Sequence, residues 1–281
     1  MNTKRLLYSV MSAVMFISGI LLMFYFLWTN GYINVPRGII PTEEITDFTY
    51  PSLPSEIKPI ETKQANTETN STETGETQNS NRGKSGVQYD SPVDFAELKK
   101  TNNEIIGWLY MTDPSISQPI LMHKNNDDFY LSHNVTGKYS RDGSFYIEKT
   151  YNKPDFNDPV TIIYGHRRRS GTMFGDLQNT ISRKNINDDP QYVVIYLPDS
   201  TKIYHIVATI RHDNTHILYY NDFSKQSVFD EFFDKAYKQT GTAVQLVTSE
   251  KPQYGDKVLI LSTCLVGDRT KRFLVIAKEL T

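Results

Sequence analysis

The strongest pattern in the chain lies near its C-terminus, where two short apolar runs, Val258–Leu261 and Phe273–Ala277, flank a polar segment with a turn signal at Gly267-Asp268. Each run has the length of a core strand and predicts a buried one. Val160–Tyr164, V-T-I-I-Y, predicts a third buried strand. Further strands are expected over Ile105–Met111, Gln118–Met122, Gly143–Glu148 and Ala243–Val247, with Asp113-Pro114 turning between the first two. Tyr192–Leu197 and Lys202–Ile210 read as a hairpin joined at Pro198-Asp199-Ser200. Helical period is rarer. Ser91–Leu98 predicts a short capped helix, and Asp127–Leu131 a short helix or turn. Ser227–Gln239 predicts an amphipathic helix, with Val228, Phe229, Phe232, Phe233, Ala236 and Tyr237 on one side and Ser227 as its cap. Many short strands with few helices point to a mainly β, closed or nearly closed barrel.

The N-terminal region follows other rules. Leu6–Trp28 carries no charge and is long enough to span a bilayer as a helix. Lys4-Arg5 precede it, so residues 1–5 are expected in the cytoplasm and everything after the span outside. Trp28 and Tyr32 suit the outer interface. A cleaved signal peptide fits less well, because the run exceeds the usual apolar region of about 7–15 residues and no A-x-A-like site follows. Residues 29–86 read as an extracellular stalk. Pro36, Pro41, Pro51, Pro54 and Pro59 keep its first part extended. Glu61–Gly86 has almost no apolar residues and cannot form a core. The folded domain is expected over residues 87–281.

Composition narrows the function. A net charge of −2 over 281 residues gives no sign of a nucleic-acid binder. The chain has one cysteine, Cys264, so it forms no internal disulfide and no multi-cysteine metal cluster. An unpaired thiol outside the cytoplasm is a candidate reactive group.

Cys264 ends the first apolar run, and Arg272 opens the second. Pairing of the two strands would bring thiol and guanidinium together at one end of a sheet. A thiol becomes a strong nucleophile as thiolate, which a neighbouring cation favours. Of the six histidines, only His166 directly follows a strong buried strand, and Gly165 before it permits a sharp turn. His205 lies within a predicted strand. His123 and His133 read as loop positions. His212 and His216 have H-x3-H spacing but fall in a polar segment with no third ligand, so no metal site is expected. His166, Cys264 and Arg272 thus suit acyl transfer: thiol attack on a peptide carbonyl, proton transfer by the imidazole, and an oxyanion donor that is itself no base. From residue types alone, a lone strand cysteine equally suits a small buried hydrophobe.

Leu261-Ser262-Thr263-Cys264 followed by Arg272-Phe273-Leu274-Val275 closely resembles the active-site signature of sortases. Tyr164-Gly165-His166 followed by Gly171–Leu177 resembles the histidine motif of class B sortases. Ile106-Gly107-Trp108, Asp128-Phe129-Tyr130-Leu131, Gly143-Ser144-Phe145 and the helix before the last strands agree. The resemblance runs from about Val93 to the C-terminus. It implies an eight-stranded sortase barrel with a few peripheral helices, anchored in the cell membrane of a Gram-positive cell. It also implies a cysteine transpeptidase that cleaves a C-terminal sorting motif, N-P-x-T-like or L-P-x-T-G-like, after Thr and transfers the acyl chain to an amine. That amine belongs to a cell-wall precursor (lipid II) or, in some class B members, to a pilin lysine. The catalytic set implied is His166, Cys264 and Arg272, with Leu131, Ser262 and Thr263 at the substrate, and with no cofactor or metal. Arg272 is preferred over Arg269 because it directly precedes the apolar strand.

The sequence departs from the usual class B pattern at three places. Arg167-Arg168-Arg169 follow the histidine, reading as a solvated loop or a basic rim for an acidic substrate. Leu265 follows the cysteine where the family often has an acidic or polar residue, and Asp127 stands where many relatives have Asn. Two rival readings are another wall-directed cysteine enzyme, such as an L,D-transpeptidase, whose motifs are absent here, and a stalked adhesion or scaffold module with a structural cysteine.

Overall fold

The structure, a computed structural model, describes residues 91–280. The predicted membrane span, the stalk and the expected domain start at residue 87 lie outside the described residues. Among the described residues no helix is long and apolar enough to cross a membrane.

Nine strands form one sheet: β1 (Ile105–Met111), β2 (Ile116–Leu121), β3 (Phe145–Tyr146), β4 (Val160–Tyr164), β5 (Tyr192–Tyr196), β6 (Thr201–Asp213), β7 (Gln245–Leu246), β8 (Val258–Leu265) and β9 (Asp268–Glu279). Their order is β5-β1-β2-β3-β4-β8-β9-β6-β7, and β5 also pairs with β6. That last pairing closes eight strands into a barrel, with β7 added alongside the far half of β6. The helices are α1 (Phe95–Thr101), α2 (Leu177–Arg183), α3 (Ile217–Tyr220) and α4 (Gln226–Ala236).

β1 and β4 have the boundaries expected from sequence, whereas β8 and β9 are longer than their apolar runs. The reason is pairing: the antiparallel β8–β9 ladder continues from Val258↔Lys278 through the polar pair Cys264↔Arg272 to Leu265↔Asp268. The loop is then Val266-Gly267, and Gly267 takes a left-handed φ of 85°. Helix α1 starts later than expected, because Asp94 and not Ser91 caps it, accepting from the Glu97 amide at 2.9 Å. Ser227 caps nothing: α4 already begins at Gln226, with Lys225 at the cap position. The expected strand over Ala243–Val247 shrinks to two residues, and Asp127–Leu131 becomes a 3-10 turn over Phe129–Leu131.

Two apolar clusters account for the continuous hydrophobicity of the central strands. The barrel interior holds Leu109, Ile120, Phe145, Ile163, Val193, Ile195, Ile206, Leu259, Leu261, Phe273, Val275 and Ala277, with Phe174, Leu177 and Ile181 from α2 and its approach. The outer face of β4, β8, β9 and β6 carries Val160, Ile162, Ala208, Ile210, Val258, Ile260, Leu274 and Ile276, covered by Ile217 of α3 and Phe229, Phe233 and Ala236 of α4. Strands covered on both faces lose the alternation of a half-exposed sheet. Fully burying each of those phenylalanines contributes about 1.5–3 kcal/mol.

β3 meets β4 at a single pair, Tyr146↔Tyr164, so the rest of β4 lacks a neighbour on that side. The buried Asn152 side chain fills the gap. Its Nδ2 donates to the Val160 carbonyl at 2.8 Å, and its Oδ1 accepts from the Ile162 amide at 3.0 Å.

Candidate active site

Cross-strand pairs share a face, so register assigns the side chains. Leu261↔Val275 and Thr263↔Phe273 belong to the interior rows, while Ile260↔Ile276 and Ser262↔Leu274 belong to the outer face. Cys264↔Arg272 is the next pair on the outer face, and Arg272 is paired on its other side with His212 of β6. The parallel β4–β8 register, constant from Val160↔Val258 to Tyr164↔Ser262, sets His166 against Cys264 when continued two residues past the strand. The Gly165 amide already extends that ladder, donating to the Ser262 carbonyl at 3.2 Å. The three residues singled out from sequence therefore fall in one row at the end of the sheet.

Cys264, Arg272 and His166 are each partly exposed. Arg272 Nη1 lies 3.9 Å from the Cys264 sulfur and donates to the carbonyls of Arg269 at 3.2 Å and Lys271 at 3.4 Å. The backbone at the start of its own strand thus holds the guanidinium beside the thiol, and Arg269 contributes a carbonyl. The turn is tied to α2, whose Gln178 Oε1 accepts from the Val266 amide at 2.8 Å.

His166 is held from both sides. Its carbonyl accepts from the Phe174 amide at 3.0 Å. Its Nε2 lies 2.7 Å from the Leu131 carbonyl. A carbonyl oxygen only accepts, so Nε2 carries a hydrogen in this arrangement. Leu131 ends the 3-10 turn, which is itself fixed by the residue before β3: the Ser144 amide donates to Tyr130 O at 2.9 Å. Gly143 passes so close that a Cβ there would lie 2.7 Å from Leu131 O, and its φ is 59°. Gly165 is needed for space and not for an unusual turn. A Cβ there would meet Phe145 at 2.6 Å and Phe174 at 2.7 Å, the two rings that pack at 4.4 Å beneath the histidine.

The residues expected at the substrate differ in exposure. Leu131 is 42% exposed. Ser262 is buried on the outer face, and Thr263 is buried on the interior side with its hydroxyl unpartnered. Tyr146 and Tyr164 stack one row below the thiol at 5.4 Å. Burial pushes both phenols far above their ordinary range; the charges of Asp128 and Glu148 add to the rise at Tyr146, and Arg272 opposes it. Of the arginine run, Arg168 is tied back to Asp142 at 2.7 Å. The stretch read as a polar segment around His212 is structured: His212 is on β6, and His216 caps α3, accepting from the Tyr219 amide at 3.0 Å through Nδ1. Sequence reasoning gave His216 no structural role; its only signal was a histidine just before the apolar Ile217-Leu218.

No protein-family model matches the sequence. The chain is 32% identical over 174 residues to Sortase B of Listeria monocytogenes, covering 61% of this chain and 67% of that protein. It is 27% identical over 192 residues to Sortase B of Staphylococcus aureus, covering 66% and 73%. A crystal structure of a Bacillus anthracis protein similar to sortase B aligns with a TM-score of 0.55 and 28% identity, over 66% of this chain and 82% of that one. The barrel, the strand-end row and these likenesses converge, and the chain belongs to the sortase B family of cysteine transpeptidases.

Proposed function

We propose that Cys264, His166 and Arg272 carry out a two-step transpeptidation on a C-terminal sorting motif. The observation that carries this reading is the Cys264–Arg272 pair, thiol and guanidinium 3.9 Å apart in a partly exposed row that the strand leading to His166 adjoins. The thiolate attacks the carbonyl carbon after Thr, and Arg272 donates to the oxyanion that forms. The C–N bond breaks, and His166 supplies the proton to the departing amine. With Nε2 committed to Leu131, Nδ1 is the nitrogen that changes protonation. The thioester is then attacked by an acceptor amine, whose proton returns to His166, and the thiolate leaves.

The motif is N-P-x-T-like or L-P-x-T-G-like, and the acceptor is an amine of a cell-wall precursor, with a pilin lysine as the alternative. Leu131, Ser262 and Thr263 adjoin the motif, the last two through their backbone because their side chains are buried. The enzyme works outside the membrane, held by the Leu6–Trp28 span on the stalk of residues 29–86, with its N-terminus in the cytoplasm. The substrates are surface proteins that carry the sorting signal. The partly exposed thiol and the family assignment favour the enzyme over a scaffold with a structural cysteine.

Intact-mass spectrometry of the protein with a panel of sorting-motif peptides, with and without an added amine, tests the reading. An adduct on Cys264 from one peptide, released by the amine, is expected. No adduct from any peptide, with a thiol that resists alkylation in the folded state, would overturn it.

A further inference from the structure

Glu148 is an acid in an apolar setting that the reaction does not use. It is 4% exposed and follows β3 by two residues on the outer-face side of Tyr146. One oxygen, Oε1, accepts from His216 Nε2 at 3.0 Å. The other, Oε2, is sealed from solvent without a hydrogen-bond partner of ordinary geometry, as is the hydroxyl of Tyr164, although the two groups are close enough to affect one another's titration. Burying a carboxylate costs several kcal/mol unless it is paired, so a buried acid that keeps one bond marks a contact the fold is built to hold.

The partner is fixed on both sides. His216 Nδ1 accepts from the Tyr219 amide, so the neutral ring carries its hydrogen on Nε2 and presents it to Glu148. The same ring packs against Tyr151 at 4.9 Å and Tyr164 at 6.4 Å. One imidazole therefore caps α3 with one nitrogen and clasps the barrel with the other. Helix α3 follows from β6, and its Ile217 joins the outer-face cluster. It bears Tyr219 and Tyr220, which are 66% and 69% exposed and touch edge to face at 4.9 Å. Tyr164, on which His216 rests, is the cross-strand neighbour of Ser262, one row from Cys264.

We propose that Glu148 and His216 are positioning residues: their bond sets α3 against the outer face beside the Cys264 row, and so fixes the wall against which an extended peptide is held. This rests on the transpeptidase reading of the site. The pair touches no reacting atom, so its loss should act on peptide capture and leave the thiol's chemistry intact. A four-residue helix has too little ladder of its own to hold its place, which makes the tie to the barrel decisive.

The experiment compares Glu148→Leu, His216→Leu, the double variant and Glu148→Gln in the full chain. Glu148→Gln keeps an acceptor for Nε2–H. Peptide acylation of Cys264 gives KM and kcat, alkylation by iodoacetamide reports the thiol without a peptide, and thermal unfolding reports the pair without either. Expected are a KM raised about tenfold in each Leu variant, alkylation within twofold of wild type, rescue of KM by Glu148→Gln, and a Tm in the double variant no lower than in the worse single one. Additive Tm losses would overturn the pairing. Coupled Tm losses with unchanged KM would overturn its role in peptide capture. If wild type forms no acyl adduct at all, the transpeptidase reading has failed and peptide capture falls with it; the Tm cycle then decides the clasp by itself.

Discussion

The two faces of the β4–β8–β9–β6 sheet are built alike and end differently. Inside the barrel, the rows stay closed at their far end: Thr263 and Phe273 are buried, and Phe174 and Leu177 of the α2 region join the same cluster. Outside, the apolar rows run only as far as Ser262↔Leu274 beneath α3 and α4, and the next row is Cys264, Arg272 and His212, left partly open. The comparison teaches that the row carrying the thiol is the continuation of a core face past the end of its helical cover. The same alternation that buries Ile260 and Leu274 presents Cys264 on that face. The exposure of the thiol is a property of where the covering stops.

The largest effect should separate the row from the core. Cys264→Ala should abolish the acyl adduct in intact-mass measurements while changing the unfolding free energy from a urea titration by less than about 1 kcal/mol, because a partly exposed small side chain leaves little cavity. A large stability loss would mean that the thiol is core after all. Next, Phe229→Ala on the outer face and Phe273→Ala inside should each cost about 3–5 kcal/mol in the same titration, since both are fully buried. A much smaller cost at Phe229 would demote the outer face from a second core to a loose cover.

Gly165→Ala sharpens the boundary itself. The added Cβ would press on Phe145 and Phe174, costing about 1–3 kcal/mol and lowering the acylation rate by displacing His166. Unchanged kinetics would show that the histidine is placed independently of those rings. The smallest effect concerns Asp213, at the open end of β6. Hydrogen bonds from the Thr215 hydroxyl and then its amide hold the Asp213 carboxyl below its ordinary value. A lowered folded value adds stability above the unfolded pKa of about 4, and that stability is lost as pH falls through the folded value. Asp213→Asn should therefore lower Tm slightly at pH 7, with the gap to wild type narrowing as pH falls below about 4 and on through the folded value.

Much of this was readable from residues. The buried strands Ile105–Met111 and Val160–Tyr164 announced themselves by uninterrupted apolar runs, and a lone cysteine before an arginine-led strand marked the row. What stayed hidden depends on distant partners or short elements. Helix α3 is four residues long and shows no period. Glu148 and His216 lie 68 positions apart, and nothing local betrays that one satisfies the other. Gly165 reads as a turn residue, because sequence does not reveal two phenylalanine rings arriving beneath it. Hydrophobicity alone misplaces strand ends wherever polar residues such as Cys264 and Arg272 continue the ladder.

The Asn152 amide has a wider consequence. Main-chain pairing is the usual means by which an extended peptide joins a sheet, and it requires an unpaired edge. Here β5 meets β6 to close the ring, and where β3 gives out, Asn152 occupies the amide and carbonyl that β4 would otherwise offer. Among the described residues the stretch of β4 from Val160 to Ile162 thus presents no template for an added strand. Neither an extended peptide nor a second copy of the barrel can therefore add as a strand along that stretch of β4, and a peptide reaching Cys264 is left the end of the sheet, where the backbone of Ser262 and Thr263 lies.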